Sequence, residues 1–443
     1  MTKATVLRDL GDGLILRRAT AADADPLAAF NAEIHRDPSM EGPDEPVAIW
    51  TRDLFRGDHP TFALEDFTIV EDTRTGAIVS SLNLIPQTWA YGGVEFGVGR
   101  PELVGTHPDY RRRGLIRAQF EVIHGWSAER GHLVQAITGI PWYYRQFGYE
   151  MALDLSGGRV GYAPQVPKLK EGEPEPYPIR PATEADLPFI AQLYDESLKR
   201  SRVTCVLDLA LWRYELRMSP RNVQRQELGV IETRAGEPVG FLACPVLLWG
   251  TMQSLTWYEL KPGGSWLAVT PAVIRHLWAI GQERATRDGK ELEAFGFWLS
   301  REHPAYHAVA DRLPRTRPPY GWQIRVPDLP GFLRHIAPAL ERSLAASPAV
   351  GHTGELKISF YDSGLRLMLD KGRLVAVEPW QPSREQEGNA AFPDRTFLQM
   401  VFGYHSLEEL RHAFAECWAV GDEVREVLTG LFPKQGSDTW PVA

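Results

Sequence analysis

Val104-Gly105-Thr106-His107-Pro108-Asp109-Tyr110-Arg111-Arg112-Arg113-Gly114-Leu115-Ile116-Arg117-Ala118-Gln119-Phe120 reads as a strand end, a tight basic loop and a helix start. Gly114 lets the backbone approach a ligand closely. The free amides of the helix that follows attract anions through their aligned dipoles. Three consecutive arginines add fixed, always-charged donors that suit phosphate oxygens. The ligand expected at this turn is a pyrophosphate. A solvated charge cluster at a helix start is the alternative reading of a basic run.

The stretch is neither a Walker loop, since GxxxxGK[ST] is missing, nor a GxGxxG dinucleotide turn. Its spacing resembles the Arg-x-x-Gly-x-(Gly/Ala) loop of the GCN5-related N-acetyltransferases (GNAT), matched here by Arg111, Arg112, Arg113, Gly114, Leu115 and Ile116. Ile116 departs from the small residue usual there. The resemblance implies acetyl-coenzyme A as cofactor, held by Val104, Gly105 and Thr106 at the strand end and by Arg111, Arg112, Arg113, Gly114, Leu115, Ile116 and Arg117 across the turn.

Downstream, Trp142-Tyr143-Tyr144-Arg145-Gln146-Phe147-Gly148-Tyr149 resembles the Tyr-x-x-x-Gly-(Phe/Tyr) signature of the same family. There the tyrosine protonates the departing thiolate, and Tyr144 holds the matching position. Read alone, Tyr143, Tyr144, Phe147 and Tyr149 would also serve as core aromatics.

A chain of 443 residues implies about three domains of roughly 100 to 200 residues each. With 44% hydrophobic and 24% charged residues the composition is that of a globular protein. No apolar run reaches the roughly 18 residues of a membrane span, and the N-terminus lacks a secretory apolar core, so a cytoplasmic location is expected. Cys205, Cys244 and Cys417 are too few and too scattered for a disulfide framework or a metal site, and buried reduced thiols are expected. A net charge of −9 disfavours nucleic-acid binding and is compatible with a cationic substrate.

Internal repetition organises the first two-thirds. Leu16-Arg17-Arg18-Ala19-Thr20-Ala21-Ala22-Asp23 recurs as Ile179-Arg180-Pro181-Ala182-Thr183-Glu184-Ala185-Asp186. Each copy reads as a strand and a helix start capped by Thr20 or Thr183, with an acid three residues on. Ile69 to Gly76 is echoed by Val230 to Gly236, each a strand entering a hairpin turn. Residues 163–178, rich in Pro, Lys and Glu, read as a connector. The second copy lacks the basic turn. It has Gly263-Gly264-Ser265-Trp266 instead, a helix-like Ala272 to Ala285, and no Gly after Tyr306. His303 and His307 read as surface or satisfied core histidines rather than metal ligands.

Past residue 327, Asp328 to Ala346 reads as an amphipathic helix and Glu355 to Tyr361 alternates as a half-buried strand. Strands at Leu365 to Leu369 and Arg373 to Val377 follow about a Lys371-Gly372 turn, then a helix opened by a Ser406/Glu409 capping box. This tail resembles a sterol-carrier-like domain. The expected fold is thus α/β (α+β), with tandem GNAT-like domains, the second degenerate, and a sterol-carrier-protein-2-like third. The expected bounds are 1–162, a linker 163–178, 179–326 and 327–443.

The combination resembles the enhanced intracellular survival (Eis) acetyltransferases. That resemblance implies an N-acetyltransferase acting on a primary amine of an aminoglycoside, a polyamine or a lysine side chain, by direct transfer in a ternary complex and without metal. It also implies a homo-oligomer, possibly a hexamer, and a catalytic base supplied by the terminal carboxylate, here Ala443. Amine binding would draw on the acidic segment from Glu33 to Glu45, with Glu33 and Asp37 foremost, and on aromatic walls at Trp142 and Trp440. A solvated acidic loop is the alternative for that segment. The rival function is a non-catalytic acyl-coenzyme A or lipid-binding sensor.

Overall fold

The computed structural model describes residues 5–155 and 157–439. Its first seven strands are β1 (Val6–Gly11), β2 (Leu14–Arg18), β3 (Phe67–Asp72), β4 (Ala77–Tyr91), β5 (Val94–Thr106), β6 (Val134–Ile137) and β7 (Glu150–Leu155). From β1 to β5 each pairs antiparallel with the next. Helices α1 (Ala24–Ile34) and α2 (Glu45–Phe55) fill the crossover between β2 and β3, and α3 (Leu115–Glu129) carries the chain from β5 to the parallel β6. All of these pack by burying one apolar stripe, as with Phe120, Ile123 and Trp126 of α3.

After β8 (Gly158–Tyr162), the last strand of the first unit, the second repeats this plan with β9 (Ile179–Pro181), β10 (Val203–Cys205), β11 (Gln226–Glu232), β12 (Pro238–Pro245), β13 (Met252–Leu255), β14 (Trp257–Leu260), β15 (Ala294–Phe297), β16 (Arg315–Arg317) and β17 (Tyr320–Arg325). The repeat read from sequence extends to its ion pairs. Arg17 forks onto Asp23 and reaches Glu71, while Arg180 forks onto Asp186 and reaches Glu232. The cap differs from expectation in its chemistry. The Thr20 and Thr183 hydroxyls donate to Asp23 and Asp186, so the carboxylates close each turn, held on their other side by the arginines.

The strands at the expected domain bounds are exchanged. β17 inserts between β6 and β7 of the first sheet, and β8 inserts between β15 and β16 of the second. In addition β10 pairs with β4, so Cys205 lies against the first sheet at Trp89. Local sequence pattern reports that a segment is a strand, and not which sheet will accept it. The helix expected from Ala272 begins at Trp266 and continues to Arg287, because Ser265 caps it by accepting from Ala268 N and Pro271 removes only one amide.

The third unit pairs β18 (Gly354–Ser359), β19 (Gly364–Asp370) and β20 (Arg373–Trp380) antiparallel, with the short β21 (Ala390–Ala391) and β22 (Trp418–Ala419) completing the sheet. The expected helix over 328–346 is two, Leu329–His335 and Ala337–Ala345, separated at Ile336 before Pro338. The Ser406/Glu409 capping box is present, and its helix ends at Ala413. One apolar core runs through all three units, from Trp89, Phe96 and Val98 through Ile190, Trp212 and Phe241 to Phe332, Leu340 and Ile358. No described helix is long and apolar enough to cross a membrane.

Candidate active site

β5 carries the features that open a site. Its register against β4 steps from Asn83↔Glu102 to Ser81↔Gly105, so Leu103 and Val104 face the single residue Leu82. This is a bulge, and Leu103 takes a left-handed φ of 51° within it. On its other edge β5 pairs with β6 only at Val98↔Val134 and Gly99↔Gln135. Pairing between the two strands stops there, so the β5 edge from Arg100 to Thr106 runs on without β6 as a partner, a stretch called the slot below. Gly105 is required where α1 seals the bulge, because a Cβ there would meet Ile34 Cγ2 at 2.6 Å.

The basic turn closes the outer end of the slot. Tyr110 donates to Asp72 at 2.8 Å, and Arg74 holds the other side of that carboxylate, pinning the turn to the end of β3. Both neighbours keep the Asp72 carboxyl well below the usual carboxylate range. Gly114 caps α3 at φ 74°, which a side chain would strain. Arg111, Arg112 and Arg113 are exposed, and none has a carboxylate partner among the described residues. Arg111 Nε reaches Thr106 O at 3.4 Å, and Arg113 lies 5.1 Å from the Tyr110 ring centroid. Leu115 and Ile116 turn into the apolar layers beneath, while Arg117 donates to Gln146 Oε1. Cationic side chains, a helix N-terminus and a glycine therefore converge on one surface, a geometry suited to phosphate.

Tyr144 stands at the inner end. It belongs to the short 3-10 turn Tyr143–Phe147 and packs on Phe120 of α3 and on Tyr143 and Tyr149, leaving it 5% exposed. Gly139, just past β6, lies beside its ring and hydroxyl. Burial, and next the Glu102 carboxylate of β5, hold its phenol well above the usual tyrosine range, so the proton stays on. Among the described residues the hydroxyl has no hydrogen-bond partner. Glu102 is itself paired with the buried Arg100 at 2.6 Å. His35, at the end of α1, is kept neutral chiefly by burial and bonds Asn31 O at 3.0 Å.

The residues expected to bind the amine have partners close along the chain. Glu33 is exposed and pairs with Arg36 at 3.3 Å, and the Asp37 carboxylate accepts from Ser39 N and Oγ. Asp44 caps α2 and Glu45 meets Arg52, so most of this acidic run is engaged by its own neighbours. Trp142 is 70% exposed with the Arg145 guanidinium 4.6 Å from its ring centroid. Ala443 and Trp440 lie outside the described residues. Glu102, Arg100 and His35 were not singled out in the sequence. The Arg-x-Glu alternation of Arg100 and Glu102 is a signal that could find two of them, and nothing near His35 marks the third.

The approach of the C-terminal tail is described as far as Thr439. Thr439 O accepts from Trp322 Nε1 at 2.9 Å, and Trp322 lies 5.6 Å beneath the Arg100 guanidinium. Asp438 pairs with β10 through Val203 and Cys205 and borders a crevice of about 30 Å³. Burial, with Glu259 adding and Arg200 opposing, pushes its carboxyl up to about 7. A carboxyl whose folded value is raised above the unfolded 3.8 makes the native state lose stability as pH rises from about 4 through 7. Asp438→Asn is expected to abolish that loss. Its stability gain would be about 1–2 kcal/mol above pH 7, below the full shift because side chains relax around a buried charge, and should vanish near pH 4. Urea melts of both proteins at pH 4, 6 and 8 measure it, and equal pH slopes would refute it.

The three cysteines are free and buried. Cys205 adjoins the first sheet through its pairing with Trp89, and burial pushes its thiol up to about 12. Among the described residues no acidic, histidine and cysteine group is placed to hold a metal ion. His303 is a satisfied core residue bonding Tyr258 O at 2.8 Å, and His307 is exposed.

Residues 17–152 match the acetyltransferase (GNAT) domain family. The slot, the basic turn and Tyr144 all fall within the residues that match this acetyltransferase domain family. No curated protein matches the chain in sequence. Among solved structures it is similar to a GCN5-related N-acetyltransferase from Kribbella flavida, with TM-score 0.62 and 18% identity over 96% of this chain and 97% of that one. It is also similar to one from Anabaena variabilis, with TM-score 0.61 and 15% identity over 96% and 98%. Eis1 from Mycobacterium abscessus gives TM-score 0.58 and 13% identity over 97% and 99%. At such identities the likeness is one of fold. It extends beyond the GNAT domain to the degenerate second copy and the additional α/β unit.

Proposed function

We propose that the protein is an N-acetyltransferase moving the acetyl group of acetyl-coenzyme A to a primary amine of a polycationic acceptor, an aminoglycoside, a polyamine or a lysine side chain. The observation that carries this is the continuity of three features around β5 and α3: an anion-receptive turn, an unpaired strand edge and, packed on Phe120 of α3, a protonated phenol. Diphosphate rests on the turn through Arg111 to Arg113 and the amides after Gly114. The amide-bearing arm of the cofactor lies along the slot, where unpaired strand edges can bond it.

Attack on the thioester builds negative charge on the carbonyl oxygen, and amides of the bulge from Leu103 to Thr106 are the donors at hand. One such donor is worth roughly 3 to 4 kcal/mol in other enzymes. The amine, with a free value of about 10.4, must first lose a proton to a carboxylate. The family resemblance assigns that task to the terminal carboxylate of Ala443, while Glu102 is the side-chain carboxylate that acts on Tyr144. The thiolate then leaves toward the Tyr144 hydroxyl. Burial that raises the phenol also raises a thiol in the same slot, so the proton transfer stays near balance. No cysteine of this chain is a thiolate nucleophile, which favours direct transfer. The sterol-carrier-like character of the third unit, a homo-oligomer and a cytoplasmic location belong to the same reading by resemblance.

Thiol release from acetyl-coenzyme A in the presence of spermidine, kanamycin and lysine-rich peptide tests it. Cofactor binding with no release on any acceptor would instead establish the acyl-coenzyme A sensor. Arg111→Gln with Arg113→Gln is expected to raise the KM for acetyl-coenzyme A by about ten- to a hundredfold, through loss of charge-assisted bonds of about 1.5–3 kcal/mol. The effect should shrink in high salt. An unchanged KM at low ionic strength would remove the diphosphate from this turn.

A further inference from the structure

Away from that slot, a cavity of about 520 Å³ opens where the three units meet. It lies between Gly92 at the tip of the β4–β5 hairpin, Arg202 just before β10, and the helices Ala337–Ala345 and Gly421–Leu431. Ala339, Ala346, Pro348, Gly430 and Pro433 make its walls largely apolar. Three charged side chains line it: Arg202, Arg342 and Glu426.

Arg202 is only 8% exposed, its Nε is buried with no acceptor, and among the described residues it has no carboxylate partner. Its Nη1 donates to Ser343 Oγ at 2.7 Å. Arg342 donates to Gly92 O at 2.5 Å and likewise has no carboxylate partner among the described residues. A guanidinium buried without a counter-charge is costly, and folded proteins normally supply one. Glu426 is exposed, at the rim, and pairs with neither. The three side chains together leave one formal positive charge over an apolar floor.

We propose that this cavity binds a monoanionic organic carboxylate with an apolar body, its head group on Arg202 and Arg342 and its chain along the walls. A single negative charge neutralises the lining, whereas a dianion would meet Glu426, and the planar carboxylate matches a guanidinium fork. The site is strung on the residue that anchors the tail, since Arg202 N donates to Gly436 O and Arg202 O accepts from Gly92 N. Occupancy therefore braces the hairpin against the segment that leads to Thr439.

Calorimetric titration of the full chain with decanoate, decanol and inorganic phosphate is the test. Decanoate is expected to bind at one site per chain, with affinity at least tenfold above that for decanol or phosphate. Arg342→Gln should weaken it at least tenfold, and Ala346→Trp, which fills the mouth, should abolish it. Both positions are exposed, so folding is not at stake, and Arg202→Gln need not be used. Absence of decanoate binding, equal affinity for decanol or phosphate, or unchanged binding in both variants would each overturn the proposal.

Discussion

Tyr144→Phe is expected to lower turnover with acetyl-coenzyme A by about a hundredfold or more while leaving cofactor affinity nearly unchanged. The magnitude is that of a positioned general acid. The ring itself fills the space between Phe120 and Tyr149, so phenylalanine preserves the packing and removes one hydroxyl that no described residue bonds. The comparison of kcat with the dissociation constant for coenzyme A separates chemistry from binding. A variant with unchanged kcat would show that the departing sulfur finds its proton elsewhere. Loss of affinity with kcat intact would make the phenol a wall of the slot.

The second large effect is on folding. Trp322→Ala should cost about 3–5 kcal/mol in urea unfolding, the range for emptying a buried indole. Trp322 is fully buried on β17, meets Trp89 edge-on at 5.4 Å and supports the Arg100 guanidinium. It also holds the tail through Thr439 O. Trp322→Phe keeps most of the ring and deletes only that last bond, about 1 kcal/mol. If the tail supplies the base, the phenylalanine variant loses turnover out of proportion to its stability. A destabilisation below about 1 kcal/mol in the alanine variant would mean the site collapses around the loss.

What could be read from the sequence was whatever chemistry is carried by neighbours along the chain. Arg111 to Ile116 and Tyr144 to Tyr149 are contiguous and declare a turn and a signature directly. The doubling of Arg17 to Asp23 in Arg180 to Asp186 declared the second copy, and even its Glu71 and Glu232 partners lay in the echoed strands. Residues defined by register were hidden. Glu102 matters because a bulge one residue later turns the chain, and nothing in its neighbours announces a bulge. The slot exists because pairing stops after Gly99, which only the partner strand decides. The acidic segment is ambiguous for the opposite reason: Glu33, Asp37, Asp44 and Glu45 all have partners close along the chain, so charge density alone does not distinguish a binding surface from a solvated loop.

The exchange of β8 and β17 explains why a copy without its own basic turn endures. Each half lends the other an interior plank, with hydrogen bonds along both borders. Deleting the second half would therefore tear a gap between β6 and β7, in the sheet that carries the proposed site. The silent twin is retained as masonry.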